Sequence, residues 1–193
     1  MKKIKPSVER FGKELQSMFE SNSFVVFLCG PTLCDSEIKD GAALRKRIKE
    51  SLEHERFEVV LGEDDGLDSL RKYHDGFAHD NEIHFIKKEA GAILLVADSP
   101  GSFCELGLFS YLYYADPEDA LKQIDFILLV KKCHEGEESY FNTGPAAAID
   151  AFGGKVIYGD FGNFDIAPIV KRLRQRRTAW FTHKKGRPAS NQL

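Results

Sequence analysis

The stretch AILLVADSPGSFCELG, residues 92–107, sets the frame for the rest of the chain. Ala92–Ala97 is apolar without a polar interruption, the pattern of a strand buried on both faces. Asp98-Ser-Pro-Gly then breaks the run. Residues 102–115 (SFCELGLFSYLYYA) take up helical spacing and are apolar nearly all round, as a helix sandwiched between layers would be. A buried strand that empties through a tight turn into a helix is one unit of a parallel α/β sheet.

Four further runs read as strands: Phe24–Cys29, Phe57–Leu61, Ile124–Val130 and Lys155–Tyr158. Between them the helical period returns. Residues 41–54 align Ala42, Leu44, Ile48 and Leu52, and residues 78–90 align Ile83, Ile86 and Ala90. Residues 165–181, opened by Asp165 as an N-cap, face Ile166, Ile169, Val170 and Leu173 inward. An N-terminal helix over residues 7–20 precedes the first strand. Alternating strands and helices require parallel pairing with right-handed crossovers, so an α/β fold is expected. Its form would be a three-layer doubly wound sandwich on a five-stranded, mainly parallel sheet, in the flavodoxin-like order 2-1-3-4-5. At 193 residues and 42% hydrophobic, the chain has material for one core. Residues 1–181 are expected to form a single domain, with residues 182–193 a basic, flexible tail.

Thirty acidic against 27 basic residues give a formal net charge of −3, which by itself points to no polyanionic partner. The distribution is uneven. Lys171, Arg172, Arg174, Arg176, Arg177, Lys184, Lys185 and Arg187 fall in an end segment without a single acid, behind an acidic body. That pattern fits either a solvated helix face running into a tail or a contact with nucleic acid or an acidic partner. Cys29, Cys34, Cys104 and Cys133 form no C-x-x-C, and the six histidines are scattered, so no metal and no cofactor is assigned. The N-terminus MKKIKPSVERF lacks an apolar core, and no run reaches the roughly 18 residues a membrane span needs. A reduced, cytoplasmic protein without membrane contact is expected.

In an open α/β sheet ligands bind beyond the carboxyl ends of the strands, where strand order reverses. For the order 2-1-3-4-5 that point lies between the first and third strands. The loops there are Gly30-Pro31-Thr32 and Asp98–Glu105, and the candidate site residues follow from them. Glu105 has two readings. It is the N3 partner of a capping box opened by Ser102, S-x-x-E, or it points a carboxylate into the crevice, ionised by the helix N-terminus. In the second reading the backbone N–H groups around Gly101, Ser102 and Phe103, with the Gly30–Thr32 turn, hold sugar hydroxyls or a phosphate. Asp98, at the strand end, either caps the turn or handles a proton beside Glu105. Tyr111, Tyr113 and Tyr114 read as packing or as a subunit contact.

The Gly-Pro exit of the first strand, the Asp80-Asn-Glu-Ile83 helix before an apolar strand, and Asp98-Ser-Pro-Gly-Ser-Phe-Cys-Glu-Leu-Gly107 together resemble the nucleoside 2-deoxyribosyltransferase family. Within it, the chain resembles the deoxyribosyltransferase-like effector proteins encoded beside bacterial retrons. The resemblance spans about residues 23–160. It implies that Glu105 is the nucleophile, with Asp98 as its helper and a polar residue from Asp80, Asn81 or Glu82 beside it. Asn142, in the fourth long loop, would close over the substrate from its own or a neighbouring subunit of a homo-oligomer. The resemblance further implies cleavage of the base–sugar bond in NAD, a nucleoside or a (deoxy)nucleoside monophosphate. A role in anti-phage defence would follow, with a reverse transcriptase and its RNA–DNA product as partners. The compact Ser-Pro-Gly-Ser turn stands where the transferases carry a longer acidic loop, a departure that puts transfer between bases in doubt and leaves hydrolysis at least its equal. Two other functions share the same motifs: a non-catalytic nucleotide sensor, and an interaction protein that uses its basic tail.

Overall fold

Strands β1 (Val25–Cys29), β3 (Ala90–Ala97) and β4 (Asp125–Lys131) are the longest apolar runs, and they form the centre of the sheet. In the computed structural model, which describes residues 5–21, 23–33, 40–63, 66, 67, 69, 76–115 and 121–183, β2 (Glu58–Val60) and β5 (Lys155–Gly159) flank them. All four pairings are parallel and the order is β2-β1-β3-β4-β5, the architecture the residue pattern implies. The tail beyond residue 183 lies outside the described residues.

Because successive side chains in a strand point to opposite faces, the continuous apolar runs supply two cores. Val26, Leu28, Leu94, Val96 and Leu129 pack against helix α2 (Asp40–His54) and helix α6 (Ala167–His183), through Leu44, Ile48, Ile169 and Leu173. Helix α1 (Pro6–Ser21) adds Met18 and Phe19 to that layer. On the other face, Phe27, Ile93, Leu95, Phe126 and Leu128 meet helix α3 (Ala78–Glu89) through Ile86 and helix α4 (Pro100–Ala115) through Leu106, Phe109 and Tyr113. Ile149 of the short helix α5 (Ala147–Ala151) completes it. No described helix is long and apolar enough to cross a membrane.

Two boundaries depart from the sequence reading for local reasons. Ala90, the expected last residue of α3, instead opens β3, with φ −75° and ψ 131°. Gly91 then passes beneath Phe24, whose ring would lie 2.6 Å from any Cβ there. Helix α4 begins at Pro100 rather than at Ser102. Proline suits the first helical position, where its missing N–H costs nothing.

The basic C-terminal segment is largely consumed by the fold. Arg172 and Arg176 converge on the buried Asp125 at the start of β4, with Nη2–Oδ1 separations of 2.5 and 3.2 Å. Arg174 pairs with Glu55. Arg177 lies 4.1 Å from the Phe57 ring centroid and donates to the carbonyl of Glu55 at 2.8 Å. These four arginines fasten α6 to the body, so within the described residues the segment is chiefly a structural helix. Lys184, Lys185 and Arg187 lie outside them.

Candidate active site

The register aligns the exits of the central strands: Cys29 lies beside Leu95, and Ala97 beside Val130. Gly30, Asp98 and Lys131 therefore emerge on one edge. Gly30 has φ +149°, and a Cβ there would sit 3.1 Å from both Arg45 Cδ and Val96 Cβ, so the close passage of this turn requires glycine.

Helix α4 starts with a cap made by two serines. Ser99 Oγ accepts from the Ser102 N–H at 3.2 Å, while Ser102 Oγ accepts from the Ser99 N–H at 2.9 Å and donates to Ser99 O at 2.9 Å. This is the reciprocal geometry of a capping box, set one turn earlier than S-x-x-E implies. It corrects the capping reading of Glu105: Ser99 and Ser102 satisfy the helix start, and Glu105 stands on the next turn.

Freed from capping, Glu105 faces the crevice. Its Oε2 is buried and has no hydrogen-bond partner among the described residues. Burial, then the charge of Glu82, push its carboxyl from the usual 4.5 to about 8; Glu63 adds to this and Arg45 opposes it. The expectation of a carboxylate kept ionised by the helix N-terminus is therefore overturned. Glu105 lies too far along α4 for the N-terminal N–H groups to compensate its desolvation.

Glu82 comes from α3, and its own carboxyl is raised by burial and by Glu63, with His79 opposing. It rests against the backbone after β2, where a Cβ on Gly62 would fall 2.5 Å from Glu82 Oε1. Of the three α3 positions singled out by the resemblance, Glu82 is the one whose charge acts on Glu105. Asp80 is exposed, with its Oδ1 3.6 Å from His79 Nε2. Asn81 is half-buried, with an Nδ2 that has no partner among the described residues.

Asp98 belongs to the other face. It shares strand parity with Leu94 and Val96 and so turns toward α2, where its Oδ2 accepts from Gly41 N at 3.1 Å and its Oδ1 lies 2.6 Å from Lys131 Nζ. A Cβ on Gly41 would sit 2.4 Å from Asp98 Oδ2, so glycine makes this seat possible. Asp98 thus joins β3, β4 and α2, and is not drawn into the group around Glu105.

The remaining predicted residues are placed plainly. Pro31 is buried, while Thr32, Gly101 and Phe103 are exposed, the Phe103 ring edge-on to Phe141 at 6.0 Å. Asn142 is occupied internally: Nδ2 donates to His134 O at 2.7 Å and Glu137 O at 2.8 Å, and Oδ1 accepts from Tyr158 Oη at 2.7 Å. Both amide hydrogens are used, so Asn142 clamps its own loop to β5 rather than reaching over a substrate. Tyr113 is buried against Phe126, whereas Tyr111 and Tyr114 are exposed.

Two residues of the site were not singled out by pattern. Arg45, fully buried on α2, donates from Nη2 to Leu28 O at 2.7 Å and from Nη1 to Pro31 O at 3.0 Å, and makes a bidentate pair with Glu63. Its position three residues before Ile48, on the inward stripe, was the available signal. Burial pushes the nearby Cys29 thiol well above its ordinary value, and Glu105 and Glu82 add to that, so it is no thiolate nucleophile. Among the described residues no group of three or more His, Cys, Asp or Glu is arranged to hold a metal ion.

Two half-buried carboxyls and one paired arginine at a topological switch point make a site able to hold and move one proton. No curated protein and no solved structure matches the chain. A family model described as STM3845 retron effector protein matches residues 41–191, from α2 through α6 and including Arg45, Glu63, Glu82 and Glu105. The chain belongs to this retron effector family.

Proposed function

We propose that the chain is a defence effector that hydrolyses the base–sugar bond of a nucleotide or nucleoside, with Glu105 and Glu82 as its working pair. The observation that carries the reading is the half-buried Glu105 carboxyl, whose buried Oε2 has no partner among the described residues, beside the half-buried Glu82 at the β1/β3 switch point. A retron effector family supports the defensive setting. The deoxyribosyltransferase-like motif around Glu105 supports the chemistry.

Like-charged groups sharing one apolar site cannot both ionise readily, so near neutrality the pair holds one proton between them. In the reactive arrangement Glu105 is the carboxylate at C1′ and Glu82 carries the proton. The C1′–N bond breaks and its electrons leave with the base. Glu82 protonates that nitrogen, and Glu105 bonds to or stabilises the cationic C1′. Water then adds to C1′, any C1′–Glu105 bond breaking so that Glu105 leaves as the carboxylate, and a proton returns to Glu82, so one water is consumed per sugar and base released. A nicotinamide leaving group, already cationic in NAD, departs neutral without the acid step, and the proton lost by water is then released to solvent. The Gly30–Thr32 turn and the α4 start around Gly101 and Phe103 border the sugar. Retron-encoded reverse transcriptase with its RNA–DNA product is the partner proposed to hold the effector silent.

The test is base release. Purified wild type and the Glu105→Gln variant are incubated with NAD, ribo- and deoxyribonucleosides and their monophosphates, and products are separated chromatographically. Free base or nicotinamide from wild type alone is expected. Release that persists in the Glu105→Gln variant would overturn the assignment.

A further inference from the structure

Arg45 is the largest fully buried side chain of the molecule, yet the chemistry above gives it no step. Its surroundings are unusual for a buried arginine. Rather than facing one partner, the guanidinium takes acceptors from two separate strand ends: the Leu28 carbonyl near the end of β1 with the Pro31 carbonyl beyond it, and the Glu63 carboxylate after β2. Nε has no partner among the described residues, so both terminal nitrogens are committed to the exits. A planar five-donor fork can hold such a divergent set, and an ammonium cannot.

The two exits it joins bear directly on the site. The β1 exit carries Cys29 and the constrained Gly30, which packs on Arg45 Cδ. The β2 exit carries Gly62, against which the Glu82 carboxyl lies. Glu63 is the exposed member: its side chain is 37% accessible against 1% for Arg45. Arg45 is therefore a buried and fixed cation, while the carboxylate that neutralises it stands at the solvent edge.

We propose that Arg45 is a positioning residue: it fixes the β1 and β2 exits around Glu105 and, through its pairing with Glu63, sets the charge that Glu105 meets. The inference deepens the reading of Glu105 and Glu82 as a proton-sharing pair and rests on it for its catalytic meaning. Among the described residues, the charged or titratable groups facing Glu105 are Glu82 from α3, Arg45 from α2, Glu63 from the β2 exit and Cys29 from β1, and His79 faces Glu82. Removing Glu63 leaves the Arg45 charge uncompensated, which favours ionised Glu105. Removing Arg45 leaves Glu63 as a second like charge and favours the protonated form.

The test is a 13C carboxyl titration of glutamate-labelled protein, with the Glu105 resonance assigned by its loss in Glu105→Gln. The midpoint is expected to fall by about one pH unit in Glu63→Gln and to rise by about one in Arg45→Met, the two shifts offsetting in the double variant. Arg45→Lys, which keeps the charge but not the fork, should hold the midpoint within about half a unit. It should nevertheless lower base release at least tenfold. Should Arg45→Met fail to melt cooperatively, Glu63→Gln decides alone. A midpoint unmoved in folded Glu63→Gln overturns the proposal, as does full base release by Arg45→Lys. The titration needs no substrate. Failure of the N-glycosidase reading would appear as absent base release in wild type with these shifts intact.

Discussion

Glu105 is half-buried, with a buried Oε2 that has no partner among the described residues, and its carboxyl is pushed from 4.5 to about 8. Between those values the folded protein holds a proton that the unfolded chain has released, so stability must fall as pH rises through that window. Below 4.5 both states hold the proton and above about 8 neither does, and the dependence flattens. At about 1.4 kcal/mol per pH unit, wild type should lose roughly 2–3 kcal/mol between about pH 5 and pH 7 from this group. Glutamine at this position has no charge to desolvate and a similar shape. The comparison is the melting temperature of wild type against Glu105→Gln from pH 5 to 8.5, by calorimetry or circular dichroism. For a chain of this length the gap should open by about 5–10 °C in favour of the variant as pH rises to 7. Parallel melting curves across the range would refute the buried, uncompensated environment assigned to Glu105, and the proton-sharing pair with it.

Three other perturbations probe the surroundings. Ser99→Ala removes the reciprocal cap with Ser102 and should cost about 1 kcal/mol in urea unfolding, where a true Ser102–Glu105 box would leave Ser99→Ala near neutral and lose its stability in Glu105→Ala. Asp98→Asn breaks the contact with Lys131 and weakens that with Gly41, so it should destabilise by about 1–3 kcal/mol. Because Asp98 turns to the opposite face, it should leave the Glu105 carboxyl midpoint unmoved; a downward move of a full unit would place Asp98 in the group around Glu105. Asn142→Ala opens the loop held to His134 O, Glu137 O and Tyr158, and should speed amide exchange across residues 134–143 while leaving exchange in β3 and β4 unchanged.

The fold was legible because its signals are local and strong. Continuous apolar runs such as Ala92–Ala97 can be buried only on both faces, and the helices between them fix parallel pairing, hence the strand order and its switch point. Glu105 could be located from the same logic, since the third strand must empty at that edge. Its role as a cap was misread because S-x-x-S at 99–102 overlaps S-x-x-E at 102–105, and only Pro100 at the first helical position decides between them. Asp98 was grouped with Glu105 by closeness in sequence, although its strand parity, shared with Leu94 and Val96, already turned it to the α2 face. Arg45 and Glu63 were missed for another reason. A stripe of apolar residues is counted by hydrophobicity, and a buried arginine on that stripe becomes visible only when a distant loop supplies its acceptors.

The decisive experiment is the rate of base release as a function of pH for wild type, Glu105→Gln and Glu82→Gln, on whichever nucleoside or nucleotide wild type cleaves. On a neutral base, cleavage by a shared-proton pair predicts a bell-shaped kcat/KM whose alkaline limb, the loss of the pair's last proton, lies at about 8. Loss of at least about 100-fold is expected in the Glu105→Gln variant. Glu82→Gln should lose the reaction on neutral bases and retain more of it on NAD, whose leaving group needs no proton. A flat profile through pH 8, or release by Glu105→Gln at the wild-type rate, would contradict the assignment of the site.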